Sequence, residues 1–305
     1  MPVVSIRHRT SYRYRRPVAF GEHRMMLRPL EALDQQLLST DLEISPEPSL
    51  LRHLEDVSGA SVGVARFAAR ADHLVVESRV RLLHTPREPQ ALDDAAVLGG
   101  ATTLYAPEEI AELAASIRRR HGQGDAVEAW TRRFVRPAGP TRLMDLLADM
   151  THAIRESSTY ALRLQGPPQA PAETLARGTG SCRDFALLMI EAARSLGLAA
   201  RFVSGYVYSC SKKSGRTGGG HTHAWVRVYT PGCGWVDFDP TNGIVGNADL
   251  IRVAVVAEPR LATPLHGAWR GGRDDYLGMD ITVDVDVEDD VEMQRASHLR
   301  VANAR

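Results

Sequence analysis

The chain has 305 residues, of which 44% are hydrophobic and 24% are charged, proportions that are ordinary for a globular protein. Its 37 basic and 37 acidic residues balance, so the overall charge gives no case for binding nucleic acid or a membrane surface. The three cysteines are too few for a disulfide framework, no run approaches the roughly 18 apolar residues of a membrane span, and residues 1–8 lack the apolar core of a signal peptide, so we expect a cytoplasmic protein.

Short strands dominate the first part of the chain. From Val4 to Tyr14, apolar and aromatic residues alternate with serine and arginine, which predicts a half-buried strand with a basic outer face. Pro17 is expected to end it. Further strands are predicted at 38–44, 51–57, 61–67 and 74–83. Closely spaced short strands with almost no helical pattern predict an antiparallel β-sandwich or small barrel over residues 1–86.

A second unit is predicted after a linker, and the length of the chain agrees with two domains. Residues 87–106 are rich in Pro, Asp, Gly and Ala, which is typical of a linker. Amphipathic helices are predicted next, at 107–120, 125–134 and 141–155. We assign residues 107–290 to an α+β core that ends in further strands, including 251–256 and 279–288, with a turn at 267–273 between them. Residues 291–305 are interpreted as a frayed tail.

Cys182 stands at the first position of a predicted helix. Ser181 is the expected N-cap, Asp184 completes a capping box, and Gly197 ends the helical periodicity. The backbone N–H groups of a first helical turn are unpaired and the helix dipole is positive there, which favours the reactive thiolate. Taken alone, Cys182 is equally well explained as a small buried apolar residue.

A β-hairpin further along the chain brings an imidazole near a carboxylate. His223 to Tyr229 and Trp235 to Thr241 read as two strands joined by a turn near Gly232. This pairing sets Asp239 opposite Trp225 and makes His223 its diagonal neighbour, within side-chain reach. A shift of two residues would put His223 directly opposite Asp239, whereas a slip of one would place them on different faces. Either allowed register predicts a pair that can take and hold a thiol proton.

Four ordered blocks of this sequence resemble the transglutaminase-like superfamily of papain-related folds: Gly180–Ala186, Gly197–Tyr206, His223–Val226 and Gly234–Thr241. The resemblance implies an α+β, papain/transglutaminase-like core, and the first 86 residues are similar to the β-domain that precedes this core in bacterial members. The family's nucleophile, base and orienting carboxylate carry over to Cys182, His223 and Asp239. The family's usual acidic residue after the His-Ala-Trp-Val stretch is Arg227 here, which affects expected substrate contacts and leaves the triad intact.

The resemblance implies a thiol enzyme that acts on amide bonds of a peptide or protein substrate, without cofactor or metal. A cysteine protease or amidase is favoured over an acyltransferase that passes the acyl group to an amine, because nothing in the sequence marks an amine tunnel. Two other interpretations stay open. One is a metal site built from Cys182, His221, His223 and Asp239. The other is a non-catalytic binding module that retains the fold.

Three further features have a structural and a functional interpretation each. Tyr160 precedes the Cys182 block and is either a packed aromatic or a second oxyanion donor. The glycine-rich segment Ser209–Gly220 is a mobile loop or a gate over the site. The alternating strand at 279–288 presents an acidic face that is solvated, attracts the basic face of the first strand, or attracts a divalent cation.

Overall fold

The computed structural model describes residues 2–87, 97–98, 104–121, 125–209 and 216–288. Five antiparallel strands open the chain. The strands predicted at 38–44 and 74–83 lie within two of them, and those predicted at 51–57 and 61–67 extend one or two residues past two others. The strands are β1 (Val3–Met25), β2 (Gln35–Ser45), β3 (Leu50–Glu55), β4 (Ser61–Arg66) and β5 (Arg70–His84). They share one sheet in the order β2-β5-β1-β4-β3.

The first strand is longer than predicted. Pro17 does not end β1, which runs on to Met25. The proline falls where the pairing of β1 with β5 is interrupted, between Arg13 and Val18. A proline has no N–H to give to a ladder and is tolerated at such an irregularity. The two halves of β1 can therefore pair with different partners.

The middle of the chain contributes short strands and the five α-helices of the described residues. These elements are β6 (Val97–Leu98), α1 (Pro107–Ile117), α2 (Asp125–Arg132), β7 (Thr141–Arg142), α3 (Leu143–Ser157), β8 (Thr159–Tyr160), α4 (Pro171–Arg177), β9 (Thr179–Gly180) and α5 (Cys182–Ser195). The three predicted helices before the Cys182 block are present as α1, α2 and α3. Helix α4 was not predicted. No helix of the described residues is both long enough and apolar enough to cross a membrane.

The core sheet has the strand order β13-β12-β11-β10-β14. Its strands are β10 (Ala200–Val207), β11 (His223–Thr230), β12 (Gly234–Asp239), β13 (Ile244–Val245) and β14 (Leu250–Val256). Helix α5 packs on one face of this sheet, and its apolar side chains, including Phe185 and Met189, join Phe202, Val226 and Phe238 in the largest buried cluster. The combination of helices on an antiparallel sheet confirms the predicted α+β class.

The last two strands, β15 (Leu265–Arg270) and β16 (Tyr276–Glu288), return to the N-terminal sheet and pair with β1, bringing that sheet to seven strands. This differs from the sequence-based division, which assigned both strands to the core and predicted a sandwich or small barrel for residues 1–86. The predicted turn at 267–273 is largely strand β15. Gly267 is suited to this pairing because a Cβ there would lie 2.2 Å from the ring of His23.

The acidic face of β16 and the basic face of β1 do meet, as neighbouring strands of one sheet. Their register places Arg7 beside Asp284 and Arg13 two residues from Asp280, with which Arg13 forms a 3.1 Å salt bridge. Opposite charges on neighbouring strands stabilise a pairing modestly. Within the described part of β16, no group of acidic residues is arranged to hold a metal ion. The predicted tail, residues 291–305, and most of the predicted linker lie outside the described residues.

The N-terminal sheet packs against the core sheet through a shared apolar cluster, in which Val4, Ile6 and Val80 meet Tyr206 and Ile251. Buried hydrogen bonds cross the same contact. The Tyr206 hydroxyl lies 3.0 Å from Nδ1 of His8, and a second tyrosine–histidine pair, Tyr208 with His84, repeats this arrangement at 2.7 Å. Polar groups buried in this way need partners from the opposite unit, so the bonds fix the two sheets in one orientation.

Candidate active site

Cys182 begins helix α5 and is 94% buried, with 6% of its surface exposed. The predicted capping arrangement is present. The Asp184 carboxylate accepts hydrogen bonds from the backbone N–H of Ser181, at 2.7 Å, and from the Ser181 hydroxyl, at 2.8 Å. These bonds hold the first turn of the helix and thereby the direction in which the thiol points.

Asp184 also ties the helix start to the preceding segment, which the sequence did not predict. Its carboxylate accepts from the guanidinium of Arg163, at 2.5 Å, and from the backbone N–H of Gln169, at 2.7 Å. Burial alone would raise the pKa of Asp184, but these hydrogen bonds lower it below its usual value. The carboxylate is therefore charged and stabilises the end of the helix that carries Cys182.

The hairpin has the first of the two predicted registers. Strands β11 and β12 pair Val226 with Phe238 and Thr230 with Gly234, and continuing this register sets Trp225 opposite Asp239. The diagonal neighbour His223 reaches the carboxylate, with Nε2 2.8 Å from Oδ2 of Asp239. Both side chains are completely buried. The alternative register, two residues away, does not occur.

The charge state of the histidine follows from its two neighbours. Burial would lower the pKa of His223, but the Asp239 carboxylate and then the Cys182 thiol outweigh it and raise the pKa to about 10. Burial would likewise raise the pKa of Asp239, but His223, Asn242 and the N–H of Thr241 lower it. An imidazolium beside a carboxylate on one side and a thiol on the other is the arrangement that stabilises a thiolate.

The second ring nitrogen of His223 is the one left for the thiol. Nε2 is occupied by Asp239, while Nδ1 is buried and makes no hydrogen bond within the described residues. Gly218 closes over this edge of the ring, because a Cβ at that position would lie 2.7 Å from Nδ1. Part of the predicted glycine-rich loop thus covers His223. Residues 210–215 of that loop lie outside the described part of the chain.

Asn242 connects this loop to the carboxylate. Its side-chain amide donates to Asp239 Oδ2 at 2.8 Å and to the backbone carbonyl of Thr217 at 3.1 Å, and its oxygen accepts from the Thr217 N–H at 2.9 Å. Sequence reasoning missed this residue. The signal was its position three residues after Asp239, within the turn that follows β12, where an asparagine readily bonds to local backbone.

Tyr160 lies against the thiol. The parallel bridge of β8 with β9 pairs Tyr160 with Gly180, two residues before Cys182. Burial, and then the charge and hydrogen-bonding contact of Cys182, raise the pKa of Tyr160 above its usual value. The hydroxyl therefore keeps its proton and can donate it in a hydrogen bond. This placement is compatible with the oxyanion interpretation of Tyr160, which stays a prediction.

A cavity of about 390 Å³ opens in front of Cys182 and His223. The core forms one wall, with Tyr160 among its residues. The N-terminal sheet forms the other, with inward-facing residues of β1 and β16: His8, Thr10, Tyr12, Met279 and Ile281. The mostly apolar lining of this cleft is typical of sites that hold an organic ligand.

A charged network lies behind the hairpin. Trp225 stacks on His223 with the ring centroids 6.0 Å apart and donates its indole N–H to Asp237 at 2.8 Å. Arg227 and Arg252 form salt bridges with the same Asp237, at 3.3 and 3.5 Å. Arg227, which departs from the family pattern, thus supports the strands that carry His223 and Asp239 and does not line the cleft.

The structure brings all three predicted site residues together, and His221 does not join them in a group of potential metal ligands within the described residues. His221 lies close enough to His8 for their charges to interact. In the described residues, no group of three potential ligands is arranged to hold a metal ion. The catalytic roles assigned to Cys182, His223 and Asp239 stay predictions that this geometry makes testable.

Comparison with known proteins covers both units. The family model of the bacterial transglutaminase-like N-terminal region matches residues 4–82, and that of the transglutaminase-like superfamily matches residues 128–240. The uncharacterized protein ML0607 of Mycobacterium leprae is 26% identical over 281 residues, which cover 87% of this chain and 92% of that protein. The uncharacterized protein Rv2569c of Mycobacterium tuberculosis is 27% identical over 302 residues, which cover 92% of this chain and 91% of that protein.

A solved structure has the same architecture. A candidate cysteine protease from Cytophaga hutchinsonii superposes with a TM-score of 0.66 at 18% sequence identity, covering 94% of this chain and 91% of the other. At this identity the likeness concerns the fold alone. It extends over the N-terminal sheet as well as the core and confirms the predicted combination of the two.

Proposed function

Because the chain belongs to the transglutaminase-like superfamily, with the N-terminal region found in its bacterial members, we propose that it is a thiol-dependent hydrolase of amide bonds. The observation that carries the proposal is the placement of Cys182 at a helix start beside the buried His223–Asp239 pair, 2.8 Å apart, at the floor of an open cleft. The proposed substrate is a peptide or protein, and the proposed location is the cytoplasm.

The proposed reaction has two steps. The Cys182 thiolate attacks the carbonyl carbon of the amide, a C–S bond forms and, as the tetrahedral intermediate collapses, the C–N bond breaks. His223 delivers its proton to the leaving amine from Nδ1, while Asp239 holds the ring through Nε2. Water then attacks the thioester with His223 as base, which releases a carboxylic acid and restores the thiol.

Two donors are proposed for the oxyanion. The backbone N–H of Cys182 is at the first position of α5, where helical N–H groups have no intrahelical partner. The Tyr160 hydroxyl is the second, because it lies against Cys182 and keeps its proton. Donors fixed before the reaction stabilise developing negative charge, and removing one typically costs about 10²–10³ in rate.

Hydrolysis is favoured over acyl transfer to an amine. The Cytophaga hutchinsonii structure of the same architecture is described as a candidate cysteine protease, which agrees with a hydrolytic reaction. Acyl transfer needs a site that excludes water from the thioester, and the cleft here reaches solvent at the exposed residues Leu162 and Arg260 of its lining.

The test is product analysis with a matched inactive variant. Purified protein and its Cys182→Ala variant are incubated with peptide, isopeptide and glutamine-carboxamide libraries, in the presence and absence of a labelled primary amine. We expect Cys182-dependent release of amine and formation of free carboxylic acid. Labelled amine incorporated without acid formation would replace hydrolysis by acyl transfer. Absence of both products, together with an unreactive Cys182, would contradict the enzyme proposal and support a binding module.

A further inference from the structure

The charge lining the cleft comes almost entirely from arginine. Three guanidinium groups border the cavity, those of Arg163, Arg183 and Arg260, and no aspartate or glutamate of the described residues lines it. Arg163 forms a salt bridge with Asp184, at 2.5 Å, which neutralises its charge. The other two arginines therefore decide the net charge that a bound molecule meets.

Arg183 has no salt bridge to a carboxylate in the described part of the chain. Its guanidinium is instead held by two backbone carbonyls, those of Gly166 at 2.8 Å and Arg163 at 2.6 Å. Carbonyl partners fix the side chain in place without neutralising it. The residue follows Cys182 directly, and its charge interacts with those of Cys182 and Asp184 without forming a salt bridge in the described residues.

Arg260 faces the same cleft from a 3-10 turn, Pro259–Ala262, that follows β14 of the core. Its side chain is exposed and no hydrogen bond or salt bridge of it occurs within the described ranges. The nearest acidic residue in sequence, Glu258, is paired with Arg120. Arg260 thus keeps a free planar guanidinium, the group best suited to holding a carboxylate with two hydrogen bonds.

The opposite wall leaves this positive charge uncompensated. Strand β16 points Met279 and Ile281 into the cleft, while Asp280 faces the other way and is paired with Arg13. On β1, His8 faces the cleft as a neutral ring, because burial, and then the charge of His221, lower its pKa to about 4. One wall is therefore uncharged, with Met279 and Ile281 as its apolar part, and the other is positive.

From this distribution of charge we propose that the acyl donor carries a carboxylate, so that the substrate class is an acidic peptide in which Asp or Glu lies near the cleaved amide. Its acidic group is bound by Arg260 and Arg183, and its apolar part packs on Met279 and Ile281. This inference rests on the proposed function for the cleavage step and on the charge of the cleft alone for the binding step.

Paired alkylating reagents test the charge directly. Iodoacetate and iodoacetamide react with the same thiol, but iodoacetate carries one negative charge and iodoacetamide none. The iodoacetate rate at Cys182 divided by the iodoacetamide rate therefore measures the electrostatic potential there. Arg260→Gln should lower this ratio about three- to fivefold, as expected for one charge acting across a partly hydrated cleft. Arg260→Lys should restore most of the ratio, and raising the salt concentration to about 1 M should diminish it in the wild type.

The matched control is Arg52→Gln. Arg52 is exposed on β3, at the edge of the N-terminal sheet, and does not line the cavity. Its variant has the same change of net charge and should leave the ratio at the wild-type value. A ratio that responds equally to Arg52→Gln and Arg260→Gln, or to neither, would overturn the proposal.

A second measurement does not depend on thiol chemistry. The Cys182→Ala variant is equilibrated with a mixed library of end-blocked hexapeptides, and retained peptides are identified by mass spectrometry. We expect enrichment of Asp and Glu, which Arg260→Gln in the same background should reduce about threefold or more. Acidic enrichment without any cleavage by the wild type would uphold the substrate class and contradict the proposed reaction. Cleavage by the wild type without a preference for Asp or Glu would support the proposed reaction and contradict the proposed substrate class.

Discussion

Two buried histidines border the same cleft from its two walls, and their surroundings give them opposite charge states. His223 and His8 are each 99% buried. His223 bonds to a carboxylate and its pKa is raised to about 10, whereas His8 bonds to the hydroxyls of Tyr206 and Thr10 and its pKa is lowered to about 4. Burial is common to both, so the partner decides whether a buried imidazole holds a proton. The core wall thereby supplies the His223 imidazolium, and the wall formed by the N-terminal sheet supplies an uncharged surface.

The largest expected effect comes from removing the charged member of the pair. His223→Ala should lower the rate of Cys182 alkylation by iodoacetamide at pH 6 about 10²-fold. The wild-type rate should stay nearly flat from pH 6 to 9, because the imidazolium persists to about pH 10. The variant rate should instead rise tenfold per pH unit below about 8.5, as for an ordinary thiol.

His8→Gln is the comparison for that experiment. Glutamine keeps a polar group near Tyr206, and the replaced ring is neutral, so the alkylation rate should change less than threefold. Peptide mapping by mass spectrometry separates Cys182 from the other two cysteines. Equal losses in the two variants would contradict the different charge states assigned to the two histidines.

The same His8→Gln variant should alter the pH dependence of stability. The pKa of His8 is about 4 in the folded chain and about 6.5 when unfolded, so the unfolded state binds more protons between these values. The free energy of unfolding therefore falls as the pH falls from about 6.5 to about 4. Removing this group should make the loss between pH 7 and pH 5 about 2 kcal/mol smaller than in the wild type.

Urea unfolding at several pH values measures this slope. His53→Gln is the control, because His53 is exposed on β3 and its replacement should keep the wild-type slope. A His8→Gln slope that matches the wild type would show that His8 is protonated in the folded protein, and the cleft wall would then carry charge.

Asp239→Asn should remove the carboxylate that keeps His223 charged while His8 is neutral. Without the carboxylate, burial lowers the pKa of His223 and the imidazolium is lost near neutral pH. Alkylation of Cys182 at pH 6 should fall about tenfold, with a profile shifted toward that of an ordinary thiol. Asp41→Asn, an exposed position on β2, should have no effect. A flat profile in Asp239→Asn would mean that another group holds the proton.

The smallest effect tests the contact that covers His223. Gly218 and Gly220 both have positive φ, 88° and 83°, so alanine strains the backbone similarly at both. A Cβ at Gly218 would lie 2.7 Å from His223 Nδ1, whereas one at Gly220 has no heavy atom within 4 Å. Gly218→Ala should lower the alkylation rate about fivefold relative to Gly220→Ala. Equal rates would show that the loop does not position the ring.

Most of the core wall could be predicted from local pattern. The capping box at Ser181 and Asp184 involves residues three apart, and the hairpin register follows from two strands and a short turn. The N-terminal strands were also predictable from alternation. Their assembly was not, because Pro17 suggests an end to a strand that in fact continues past an irregularity, and Gly267 within β15 and the two glycines directly after it suggest a turn.

The sequence by itself determined the elements whose partners are close along the chain: the helix that begins at Cys182, the hairpin that joins His223 to Asp239, and the alternating strands of the first unit. Only the tertiary structure decided the second wall of the cleft, since β16 pairs with β1 through residues as distant as Ser5 and Glu288. It also decided that His8 is neutral and that the Arg260 guanidinium has no salt-bridge partner within the described residues. Charge states and cleft walls depend on which distant groups meet in space, and local periodicity carries no information on that.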